Sequence, residues 1–66
     1  MVLKIIEILA SSPNSWEDAA ANAVSEASKS VRGIRSINIS NQSAVVEDGV
    51  IVEYRINCKI SFEIER

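Results

Sequence analysis

A chain of 66 residues without a single histidine has few groups with which to do chemistry. Arg35, Arg55 and Lys59 could bind an anion, and Arg55 together with the amides Gln42 and Asn57 suggests a cavity lined for a small polar ligand. Glu47, Asp48 and Glu53 carry hard oxygens of the kind that calcium takes. Their spacing matches no EF-hand loop, and a solvated turn is the favoured reading. Trp16, the only tryptophan, could stack on a planar ligand; its place in the first turn of an alanine-lined helix makes it a packing residue first. Cys58, the only cysteine, lies between Ile56 and Ile60 and reads as a small buried hydrophobe rather than a nucleophile. Histidine-ligated zinc and Ser-His-Asp or Cys-His machinery are excluded. No acid–base pair follows from spacing either, so an enzyme is the least favoured class.

The elements that must position these groups follow the order β-α-β-β. Residues 2–9 read as a first strand with apolar groups on both faces, which predicts that both faces are covered. The "SSPNS" segment (residues 11–15) breaks it and has too few glycines, and no lysine, to be a phosphate-binding loop. Ser15 and Asp18 form a capping box, hydroxyl to backbone N–H and carboxylate back to the cap. A helix is predicted from about Trp16 to Arg32, with an apolar stripe of Trp16, Ala20, Ala23, Val24, Ala27 and Val31. Gly33 would end it as a left-handed cap, with Ile34 as the following apolar contact. Residues 35–47 read as a second strand. Asp48-Gly49 is a strong signal for a two-residue hairpin turn, leading into a third strand from Val50.

That third strand contains "VEYRINCKISFEIE", residues 52–65, which alternates apolar and polar without interruption. Fourteen residues at about 3.3 Å make roughly 46 Å of strand, whereas a compact domain of this size is only about 28 Å across. The two-residue turn predicts the pairs Glu47–Val50, Val45–Val52, Ile39–Cys58 and Ile37–Ile60. It places Ser36, Asn38, Ser40, Gln42 and Ala44 on one polar face with Glu53, Arg55, Asn57, Lys59 and Ser61. The apolar face would lie under the helix.

Composition narrows the rest. Residues 1–66 are read as one domain, too small to be comfortable alone. A single cysteine excludes an internal disulfide, which leaves self-association as the missing stabiliser and as the use of the surplus strand. A net charge of −2 and a pI near 4.9 argue against a nucleic-acid partner. The apolar start "VLKIIEILA" carries Lys4 and Glu7 and is too short for a membrane span or a signal sequence. With the free cysteine, that points to the cytoplasm.

Taken together, the 66-residue length, the β-α-β-β order, the alanine-rich helix and the overlong last strand resemble the dodecins. "KIIEILASSPNSWEDAAANAV" is similar to that family's first strand, Ser-rich loop and helix start, and "VEYRINCKISFEIE" to its closing strand. The resemblance implies a homododecamer, a hollow shell built as four trimers. The helix is outside, the sheet lines the inside, and long strands reach across to neighbours. It also implies storage of riboflavin or FMN, two stacked per site, without enzymatic use. The tryptophan that sandwiches the flavin in binding members corresponds to Ser36 here, and the glutamine at the flavin edge corresponds to Arg55. Losing the aromatic should cost on the order of a hundredfold to a thousandfold in affinity. "SPNSWEDAAANAV" and "YRI" are closer to a tryptophan-less branch, some of whose members are calcium dodecins. The expectation is therefore a non-enzymatic shell with a degraded flavin site. The ligand position is Ser36, Asn38, Gln42, Arg55 and Asn57, and calcium at Glu47, Asp48 and Glu53 is the alternative, as is ordinary flavin storage.

Overall fold

The strand with the cleanest alternation takes the middle of the sheet. In the computed structural model, which describes residues 1–64, the elements are β1 (Leu3–Ser12), α1 (Trp16–Ala27), β2 (Ile34–Glu47) and β3 (Val50–Glu63). The sheet order is β1-β3-β2, and both pairings are antiparallel. A central strand needs one wholly apolar face, and β3 supplies it: Ile56, Cys58 and Ile60 are buried under the helix. The α+β architecture expected from sequence is the one observed. Strand β3 ends at Glu63 and Ile64 follows it outside the strand; the rest of the expected continuation, Glu65, lies outside the described residues.

The helix lies on its sheet through alanine. Ala19, Ala23 and Ala27 are the buried row, one i, i+4 ridge that lets the helix approach closely. Trp16, Ala20, Val24 and Val31 flank it, partly buried. Helix α1 is shorter than its apolar stripe implies: it stops at Ala27, not Arg32. Ser28 donates its hydroxyl to the Ser25 carbonyl, and the N–H groups of Ser28, Lys29, Ser30 and Val31 close successive turns on Val24, Glu26 and Ala27. Serines bonding locally to the main chain compete with helix continuation. Gly33 does adopt positive φ (72°), but it turns the chain into β2 instead of capping the helix, and its carbonyl accepts from the Glu63 N–H. At the N-terminus, Ser15 Oγ accepts from the Asp18 N–H at 2.9 Å as the capping box requires. The Asp18 carboxylate goes elsewhere than expected: it accepts from the hydroxyl of buried Ser12 at 2.6 Å and pins the β1–α1 loop.

Register holds the main departure from the sequence reading. Glu47–Val50, Ile39–Cys58 and Ile37–Ile60 pair as expected. Between them the ladder slips by one: Val45 faces Glu53 rather than Val52, Ala44 faces Tyr54, Ser43 faces Arg55, Gln42 faces Ile56 and Asn41 faces Asn57. Val52 is the extra residue on β3 and Ser40 the extra residue on β2, so two bulges on opposite strands bound a shifted window. A third irregularity lies between Ile34 and Ser36. Bulges leave one residue unpaired and sharpen the local twist.

The chain measures 51 × 19 × 13 Å with a radius of gyration of 13.4 Å, against about 11 Å for a compact chain of this length. The β2–β3 ribbon projects past the helix. In the single chain one face of β1 is covered, by Ile6, Ile8 and Ala10 against the core. Leu3, Ile5 and Leu9 point to the bare face, where Ile5 is 60% and Leu9 78% exposed.

Candidate ligand site on the bare sheet face

Strand alternation delivers the site. On β3, Glu53, Arg55, Asn57, Lys59, Ser61 and Glu63 all point away from the helix, and β1 adds Leu3, Ile5, Glu7, Leu9 and Ser11 to that face. Near the hairpin end these groups line a depression of about 350 Å³. Its walls include Leu9 and Ser11 from β1, Asn41 and Ser43 from β2, and Glu53, Arg55 and Asn57 from β3. Such a volume, part apolar and part polar, falls within the range of small-molecule sites.

Two polar features mark its floor. Arg55 Nε donates to Ser43 Oγ at 3.3 Å, and Arg55 takes no part in an ion pair among the described residues. Its terminal nitrogens are therefore the donors left for a guest. Asn57 lines the cavity too, but its Oδ1 is sealed from solvent and, among the described residues, has no hydrogen-bond partner. An orphaned buried acceptor costs free energy until something donates to it.

The expected site residues fall into separate groups. Arg55 and Asn57 share the cavity. Gln42 does not join them: the shifted window puts it opposite Ile56 on the helix-side face, and Ser43 takes its place. Ser36 pairs with Ser61 through a 2.5 Å contact between hydroxyls, six residues along β3 from Arg55, or roughly 20 Å. Asn38 faces Lys59. Within one chain Ser36 and Arg55 are thus not brought together. Sequence reasoning missed Asn41 and Ser43, because nothing in the residue pattern marks Val52 and Ser40 as bulges.

The metal reading changes in the same way. Glu47 lies in the ladder opposite Val50, Asp48 occupies the turn at φ 52° and Glu53 enters the cavity wall. Among the described residues, no three His, Cys, Asp or Glu groups come together. Calcium takes six to eight oxygens. The cavity of one chain offers one carboxylate, a few neutral oxygens and the Arg55 cation among them, which is not a calcium cage by itself. Arg35 pairs with Glu63 across the sheet and is not available as an anion site. Cys58 is fully buried, and burial pushes its thiol pKa up, as suits a core residue. Trp16 packs edge-on against Tyr54 and donates its indole N–H to the Ser43 carbonyl at 2.9 Å, the packing role expected of it.

The fold is one helix on a three-stranded antiparallel sheet, with the opposite face bare and partly apolar. The comparisons with known proteins give that fold its name. The sequence model of the Dodecin family matches residues 2–65, and the chain belongs to the dodecin family. It is 41% identical over 63 residues to the calcium dodecin of Mycobacterium tuberculosis, spanning 96% of this chain and 89% of that one. The crystal structure of that calcium-chelating antigen, described with a novel calcium-binding site, superimposes with a TM-score of 0.83 at 40% identity, covering 98% of this chain and 93% of that one. The dodecin of Streptomyces coelicolor superimposes with a TM-score of 0.92 at 25% identity over 98% of this chain and 93% of that one.

Proposed function

We propose that this protein is a non-enzymatic, cytoplasmic dodecin shell subunit, assembling as a dodecamer of four trimers. It binds and stores a small ligand on the bare face of its sheet, at the Arg55–Asn57 cavity. The observation that carries this reading is the open cavity lined by Asn57 and by Arg55, which makes no ion pair among the described residues. Flavin is a poor guest in this reading. Ser36 offers no ring to stack, and Arg55 replaces an amide that bonds the flavin edge. The test is a titration of riboflavin and FMN followed by flavin fluorescence. The wild-type protein is expected to quench neither with micromolar affinity. Ser36→Trp combined with Arg55→Gln should gain on the order of a hundredfold or more. Tight quenching by the wild type would make it an ordinary flavin store.

A second reading is calcium binding, supported by the 41% identity to a calcium dodecin. It requires carboxylates from more than one copy, with Glu47, Asp48 and Glu53 the candidates. Thermal melts in calcium and in chelator separate the two readings, since a ligand of the native state raises the melting temperature by mass action.

A further inference from the structure

Ser43 touches both sides of the molecule. Its carbonyl accepts the indole N–H of Trp16, at the start of the helix, at 2.9 Å. Its hydroxyl accepts from Arg55 Nε, on the opposite face of the sheet, at 3.3 Å. The Trp16 ring is itself fixed edge-on against Tyr54, with centroids 4.8 Å apart and planes at 79°. Tyr54 precedes Arg55 in β3 and faces Ala44, a side chain small enough to let the indole reach the β2 main chain. The two bulges make this junction. In the unshifted register Gln42 would face Arg55, and Ser43 would present its side chain under the helix.

From this geometry we infer that Trp16 is a positioning residue for the cavity: acting through Ser43, it fixes the aim of the Arg55 guanidinium although it lies on the other side of the sheet. With Nε held by Ser43, only the terminal nitrogens of Arg55 face a guest. A planar, two-pronged donor held in one orientation selects a planar two-oxygen acceptor such as a carboxylate over a point anion. The functional value of this relay rests on the cavity being the ligand site proposed above. The relay itself does not.

The test needs no ligand, so its outcome is independent of the ligand reading. The full chain, in its assembled state, is labelled with 15N-arginine, and the exchange of the Arg55 Nε–H with water is measured by NMR. Arg35 serves as the internal control, being paired with Glu63 far from Trp16. Ser43→Ala, which removes the acceptor, should speed Arg55 exchange by about two- to tenfold. Ser43→Thr, which keeps the hydroxyl, should restore it. Trp16→Phe, which keeps a ring against Tyr54 but removes the N–H, should speed Arg55 exchange in the same range and leave Arg35 unchanged. If Trp16→Phe leaves Arg55 exchange at the wild-type value, or speeds Arg35 equally, Trp16 is a packing residue only and the inference is overturned.

Discussion

Single residues in this chain do different work according to which face of the sheet they occupy. Cys58 is one residue from Asn57, yet it is sealed in the core and hydrogen-bonds the Ile8 carbonyl at 3.5 Å, while Asn57 opens into the cavity. Burial raises the Cys58 pKa, so the folded state keeps its proton where the unfolded state releases it. The stability this gives is complete below the unfolded thiol pKa and is lost as pH rises through the folded value. Urea midpoints should therefore be insensitive to Cys58 ionisation around neutrality and fall on the alkaline side, and Cys58→Ala should remove that alkaline component. Alkylation of the native protein at neutral pH should be slow and should become fast in denaturant. Equal rates in both conditions would show that the thiol is not sealed.

Elements were largely legible in the sequence, and the reason is periodicity. The alternation in β3, the Asp48-Gly49 turn and the apolar row of α1 are each repeated signals, and all three elements formed. What was not legible were local decisions without a repeating signal. The helix stops where Ser28 turns its hydroxyl to the main chain, and the ladder slips where Val52 and Ser40 drop out of pairing. The slip is hidden twice over, because pairs on both sides of the window obey the register set by the turn. Its consequence is specific to the site: it exchanges Gln42 for Ser43 opposite Arg55. The turn that anchors the register has both central residues at positive φ, Asp48 at 52° and Gly49 at 76°. An added Cβ at Gly49 meets nothing within 4 Å, so the cost of Gly49→Ala is backbone strain alone, about 1–2 kcal/mol. A urea titration of that variant against wild type measures it directly. A shift near zero would mean that the hairpin register is fixed elsewhere.

The whole molecule is long for its mass because its strands exceed what its helix can cover. Its buried hydrophobic core amounts to Ile56, Ile60, Cys58 and three alanines, while Leu3, Ile5, Leu9 and the Val46, Val50, Ile51 and Val52 cluster at the hairpin remain exposed in the single chain. A buried leucine side chain is worth about 1.5–3 kcal/mol, so leaving these residues in water forfeits much of what the sequence has to offer. Leu9, beside the cavity, is the most informative position. Leu9→Asp puts a charge where the family's assembly implies a neighbour, and it is expected to shift sedimentation at micromolar concentration from the assembled species to smaller ones. Retention of the full assembly would place the neighbour's contact elsewhere on the face.

The small core also changes what stability means for this protein. If much of the apolar surface is covered only by neighbours, folding and association are one equilibrium, and the amount of protein present enters it as directly as temperature does. Dilution then acts as a denaturant. The melting temperature should climb with the logarithm of protein concentration, and a cell making few copies would hold mostly unfolded chains, while one making many would hold finished shells. The length of the chain, 51 Å, would then tie the fold of each copy to its own abundance.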